Sequence, residues 1–196
     1  MPVVIASIVE GHGEEVALRV LLSTILSAIG SGIYPVISKP FRVPWGMLVN
    51  APGELERYSE MAIKEGGPTA KLMVVLDADD SCPAELGTQL LQRIQSRFPD
   101  NPSSVIVANR EYETWFIASS ESIAHHVGSD AAFQIPSNIE EIRNPKEWLE
   151  RNVLNRRYKE TDDQAAFSSA IDVSLARSRS HSFNRFCREV ERLLTD

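Results

Sequence analysis

The sequence predicts an α/β fold: a parallel sheet of about four strands, helices on both faces, and a mainly helical C-terminal cap. Three observations predict it. Apolar, β-branched runs of strand length recur at residues 3–9, 72–76 and 104–108. Segments with helical spacing of apolar residues alternate with these runs through the first 120 residues. Strand-helix alternation of this kind requires right-handed crossovers and a parallel sheet covered on both faces.

The elements follow in order. VVIASIV (3–9) lacks helical spacing and ends at a glycine turn, as a buried strand does. From Glu14 to Ile29 apolar residues recur at helical spacing until Gly30 and Gly32 stop the helix. IYPVIS (33–38) reads as a second strand whose proline marks an edge or a strand start. KPFRVPWG reads as a loop, and residues 52–66 as a helix opening with proline and ending at Gly66–Gly67. LMVVL (72–76) is the clearest strand. Pro83 opens a helix reaching about Phe98, SVIVA (104–108) is the next strand, and EYETWFIAS (111–119) starts another helix. Beyond it, residues 139–152 predict a short acidic helix with Pro145 near its middle and Trp148 as an anchor. Helices are expected at 163–175 and 182–194, with polar SLARSRSHS between them as a loop or junction. The expected organisation is one domain over 1–196: an α/β core (1–120) and a mainly helical C-terminal extension (121–196).

Composition narrows the function. Hydrophobic residues make up 43% and charged residues 24% of 196 residues, as in globular chains with a substantial core. No apolar run is long enough to cross a bilayer, so no membrane association is expected. The apolar N-terminus lacks a basic region and a small-residue cleavage site, and reads as a strand rather than a signal peptide. The two cysteines, Cys82 and Cys187, have neither metal-ligand nor disulfide-framework spacing, so a cytoplasmic location is expected. A net charge of −7 counts against holding nucleic acid by bulk electrostatics.

Ligands of parallel α/β sheets bind beyond the carboxyl ends of the strands. Two strand ends here are acidic: Val9-Glu10-Gly11-His12-Gly13-Glu14-Glu15 and Leu76-Asp77-Ala78-Asp79-Asp80. Alternate residues of an extended chain share a side, so Asp77 and Asp79 can face one point, and Glu10 joins them if the strands are neighbours. Carboxylates converging without basic partners repel, and a hard divalent cation, Mg²⁺ or Mn²⁺, relieves this. Each motif alone has an ordinary explanation. Asp79 or Asp80 would cap the helix near Pro83, and Glu14 and Glu15 would suit a helical first turn. Their coincidence at corresponding strand ends favours a metal site. A third acidic point, Glu111 and Glu113, follows the last strand. It offers a further metal ligand, assigned to Glu111, and an acid–base group, assigned to Glu113; first-turn preference explains both equally well. Trp115 and Phe116 read as core.

VEGHGEE followed by LDADD resembles the Toprim domain of topoisomerases, primases and the overcoming-lysogenization-defect nucleases. Glu10-Gly11 match the glutamate-glycine turn after that domain's first strand, and Asp77-Ala78-Asp79 match its Asp-x-Asp motif. The chain also resembles a bacterial family of unknown function with a Toprim-like fold. The shared features are the VEGxxEE opening, the Glu111-to-Trp115 segment, Tyr158-Lys159 with Asp162, and Ser182-Phe183. The resemblance implies a Mg²⁺ site used for phosphodiester cleavage or transfer, in defence or DNA repair. Glu10 would be acid–base group or ligand, with Asp77 and Asp79 as ligands. The chain departs from the topoisomerases in having no convincing nucleophilic tyrosine, since Tyr112 and Tyr158 read as structural. It also has no GxxxxGK[ST] loop, so an ATPase would have to be a separate partner.

The expected function is therefore a Mg²⁺-dependent phosphodiesterase or nuclease. Its alternatives are a non-catalytic interaction subunit working with an ATPase, and a small-molecule phosphate-transfer enzyme. The expected nucleic-acid contacts are Arg156, Arg157 and Lys159 in NRRYK, with Arg177 and Arg179; a solvated helix face is the competing reading of both groups. His12 is either a phosphate or metal contact or an exposed loop residue, and the remaining histidines are too scattered for zinc.

Overall fold

The computed structural model describes residues 2–195; the terminal residue at each end of the expected domain lies outside them. Its centre is a parallel sheet of five strands: β1 (Val4–Val9), β2 (Val36–Ile37), β3 (Phe41–Arg42), β4 (Lys71–Asp77) and β5 (Ser103–Ala108). The order is β2-β1-β4-β5, with β3 pairing with β1 further along the edge that β2 occupies. Register sets Val9 beside both Arg42 and Val75, and Asp77 beside Ala108. The acidic segments after β1 and β4 therefore leave neighbouring strands at the same end of the sheet.

Strand residues alternate between two cores, as the pleat requires. Ile5, Val9, Met73, Val75, Ile106 and Ala108 face one core. Ala6, Ile8, Leu72, Val74, Leu76, Val105 and Val107 face the other. The second core is closed by α2 (Trp45–Val49), α3 (Glu54–Gly66) and α4 (Pro83–Arg97). The first is closed by α1 (Glu14–Ile29), α5 (Thr114–Ala118), α6 (Ser120–Val127) and the C-terminal helices. Those are α7 (Pro145–Leu149), α8 (Glu160–Ala170), α9 (Val173–Arg179) and α10 (His181–Thr195). A 3₁₀ turn at Ile139–Glu141 precedes α7, and a π-helical turn at Glu150–Leu154 continues it.

Five sequence expectations need correction, the first being the helix expected at 163–175, which ends at Ala170 because Ile171 turns extended before α9. KPFRVPWG is not a plain loop, because its prolines bound elements instead of interrupting one. Phe41–Arg42 pairs with β1 between Pro40 and Pro44, and the Pro44 carbonyl accepts the first backbone bonds of α2. The helix expected from residue 52 starts at Glu54, because Gly53 takes φ 79°, outside helical geometry. Pro145 opens its helix, at a position where the missing N–H costs nothing, and does not sit mid-helix. SLARSRSHS is largely α9: Asp172 accepts the Leu175 N–H at 3.0 Å as an N-cap, and Val173 and Ala176 are buried. Trp115 and Phe116 are fully buried, as expected. Among the described residues no helix is long and apolar enough to cross a membrane.

Candidate functional site

Glu10 is the first residue past β1, in the turn that leads into α1. Its Oε2 accepts the backbone N–H of Asp77 at 3.4 Å, joining the ends of β1 and β4. Glu14, in the first turn of α1, folds back under the same turn. Its Oε2 accepts the N–H groups of Glu10 and Gly11 at 3.1 and 3.3 Å, satisfying backbone donors of the turn that precedes the helix. Asp77 is held from the far side. Its Oδ1 accepts the Tyr112 N–H at 2.8 Å, and its carbonyl accepts Trp45 Nε1 at 3.2 Å.

Glu113, only 1% exposed, lies behind Asp77 and accepts Gln164 Nε2 at 3.3 Å. Lys146 provides the cation here: its Nζ stands 2.6 Å from Glu160, 3.4 Å from Glu111 and 4.0 Å from Glu113. Gln164 also closes on the Glu10–Glu14 turn. A Cβ built on Gly13 would come within 2.2 Å of Gln164 Oε1 and 2.7 Å of the Glu160 carbonyl, so only glycine lets α8 approach the turn this closely.

Four carboxyl groups thus share one low-dielectric neighbourhood, and their acidities follow. Burial pushes Glu14 up to about 7, aided by the charges of Glu10 and Glu113 and opposed by the Gly11 N–H. Burial likewise takes Glu113 to about 7, against the pull of Lys146. Asp77 rises well above the ordinary range through burial and the charges of Glu14, Glu113 and Glu10, with the Tyr112 N–H opposing. Glu10 is raised chiefly by burial and to a lesser extent by Asp79, which is exposed beyond the strand end. Burial works against the charge of Lys146, yet Glu113, Glu160 and Glu111 hold it protonated. Glu113, which titrates near neutrality beside the Lys146 ammonium, is suited to proton transfer.

The structure brings together Glu10, Asp77 and Glu113 of the expected site residues, and brings Asp79 to its rim. Asp79 adopts φ 49°, its N–H bonds the Arg110 carbonyl at 3.0 Å, and Arg110 pairs with Asp80 at 3.1 Å. Glu111 is drawn toward Lys146. Among the described residues, no three His, Cys, Asp or Glu side chains are placed to hold a metal ion between them. Three of the expected nucleic-acid contacts are engaged within the fold. Arg156 makes two 2.7 Å bonds to buried Asp163, Arg177 lies 2.7 Å from Glu191, and Arg179 bonds both oxygens of Glu121. Arg157 and Lys159 are exposed.

Sequence reasoning missed Glu14, Lys146, Gln164 and Trp45. Glu14 had a usable signal, since it lies four residues after Glu10 and begins a helix there. Lys146 had none, because its role depends on a helix far along the chain returning over the sheet edge.

No curated protein and no solved structure matches the chain. One family model matches residues 9–191, nearly the whole chain and the entire site described above. The chain therefore belongs to the DUF4276 family, a domain of unknown function.

Proposed function

We propose that the chain is a Toprim-like, Mg²⁺-dependent phosphodiesterase acting on nucleic acid. The observation that carries this reading is the junction of Glu10 with Asp77 at the carboxyl ends of adjacent parallel strands, backed by Glu14 and Glu113. The donor set fits a cation that keeps most of its waters. Mg²⁺ is commonly held by one or two carboxylates plus substrate phosphates, so Glu10 and Asp77 suffice, with Asp79 at the rim. It does not fit a closed four-carboxylate cage that includes Glu111. When bound, such an ion would polarise a phosphoryl oxygen and make a bound water more acidic.

The chain's own groups do the rest. The Asp77 N–H orients Glu10, and the Tyr112 N–H orients Asp77. Glu113 holds or releases a proton near neutral pH, and Lys146 keeps positive charge beside it. The test is cleavage of single- and double-stranded DNA and RNA in Mg²⁺ and Mn²⁺ by the wild type, Glu10→Gln and Glu113→Gln. The expected loss is on the order of 100-fold or more for either variant. Equal activity in wild type and Glu10→Gln points to a contaminant and removes Glu10 from the chemistry.

One observation favours a second reading. Lys146 already neutralises part of the acidic cluster, as an ammonium does in a site that is structural. On this reading the chain is a non-catalytic subunit serving a partner such as a separate ATPase. Absence of cleavage by every protein, with no Mn²⁺ heat of binding in calorimetry, selects it.

A further inference from the structure

We propose that the groove between α1 and the β2–β3 edge binds a single strand of nucleic acid, its phosphates meeting Arg19, Lys39 and Arg42. The proposal rests on the phosphodiesterase reading for its direction, but stands on separate residues.

Two contiguous depressions of about 990 and 480 Å³ meet at His12, Glu15 and Lys39. The larger follows one stripe of α1, through Val16, Arg19, Val20, Ser23 and Ser27, against Pro35 and Ile37. From Glu15 to Ser27 the helix rises on the order of 18 Å, longer than a mononucleotide needs. The smaller continues past Phe41 to Arg42. Arg42 is the β3 partner of Val9, the residue before Glu10, so the groove ends beside the acidic site.

Charge selects the occupant. Arg19, Lys39 and Arg42 are exposed and, among the described residues, make no ion pair, whereas Arg156, Arg177 and Arg179 are each tied to a carboxylate. Two carboxylates, Glu15 and Glu65, also line the groove, and His12 stands 3.4 Å from Glu15. Three cations against two acids make this a locally positive track on a chain of net charge −7. Stacking surface is at hand: Tyr34, next in sequence to the groove-lining Pro35, is 82% exposed, and Ile33 and Val36 are exposed as well. Base faces reach such a tyrosine from a single strand but are hidden within a duplex.

The test is fluorescence anisotropy with a labelled 12-nucleotide oligothymidylate, and with a duplex of equal length, in EDTA so that no metal-dependent cleavage consumes the probe, at several salt concentrations. The proteins are the wild type, Arg19→Glu/Lys39→Glu/Arg42→Glu, a control Arg97→Glu/Arg188→Glu, Tyr34→Ala and Glu10→Gln. The groove variant should bind the single strand at least tenfold more weakly, and its log–log salt slope should fall by about 2, as loss of three phosphate contacts requires. Tyr34→Ala should weaken the single strand and leave the duplex unchanged. Glu10→Gln should keep the groove's affinity while losing cleavage in Mg²⁺, so failure of the catalytic reading is seen separately from failure of the groove. Equal weakening in the control, unchanged affinity in the groove variant, or a preference for duplex overturns the proposal. Thermal melts of each variant matching the wild type exclude misfolding as the cause.

Discussion

The two faces of the sheet are built differently. The face under α3 and α4 is packed with Leu, Val, Ile and Ala, and those contacts ask only for shape and volume. The face under α1 and the C-terminal helices is aromatic and threaded with directed polar bonds. Trp115 packs against Tyr112, Phe183 and Phe186, and its Nε1 donates to Ser182 at 3.0 Å. The Tyr112 hydroxyl bonds Ser168, and Glu140 accepts from the Ser180 and Ser182 hydroxyls and the Ser182 N–H. The acidic site sits on this second face. The difference teaches that the aliphatic layer supports the sheet, while the aromatic layer fixes where the C-terminal helices lie and so where Lys146 and Gln164 meet the carboxyl groups.

The strongest way to break this asymmetry is Trp115→Ala. It should cost about 3–5 kcal/mol, whereas Ile94→Val on the aliphatic face should cost about 1 kcal/mol. Urea unfolding of both proteins checks the two values, and a Trp115→Ala cost near 1 kcal/mol would mean that the aromatic layer does not anchor the C-terminal helices. Gly13→Ala should come next, at about 1–3 kcal/mol, because its methyl group meets the Glu160 backbone. Amide hydrogen exchange should show α8 losing protection while α3 and α4 keep theirs; uniform loss would refute the local account.

The subtlest probe is pH. Glu14 and Glu113 hold protons more tightly in the folded chain, near 7, than in the unfolded one. As pH rises from the ordinary carboxylate range to about 7, the unfolded chain releases protons that the folded chain keeps. Stability from these groups is therefore greatest below that window, falls through it and levels off above it. Without divalent cation the melting temperature should drop from pH 5 to pH 8. Glu113→Gln should flatten the drop, raising the value at pH 8 and hardly changing it at pH 5. A wild-type curve flat over this range contradicts the burial of these groups.

Much of this molecule was legible before folding because much of it is periodic. The β1, β4 and β5 runs, the α1 stripe and the glycine stops are local signals, and they placed Glu10 and Asp77 at corresponding strand ends. What escaped was nonlocal. Arg156, Arg177 and Arg179 look basic in sequence, but their carboxylate partners Asp163, Glu191 and Glu121 arrive only with the tertiary fold. Glu14 looked like a helix-start preference, and it is one. That position also buries it, at 3% exposure, beneath the turn that carries Glu10. The short strand β3, between Pro40 and Pro44, escaped because two residues are too few to show a period.

The sheet's borders have a consequence for how the chain behaves in a crowded solution. Beyond β1 lie two strands of two residues each, separated by Ser38, Lys39 and Pro40, and a proline cannot donate to an incoming ladder. The opposite border, β5, is six residues long and continuously apolar in its middle, the kind of strand that recruits foreign chains. Helix α10 packs over it, Arg192 Nη2 donates to the Ser103 carbonyl at 2.8 Å, and Glu189 accepts from Ser104. The last helix thus guards against aggregation as well as filling the core. Shortening it would leave a sticky border long before it removed any part of the acidic site.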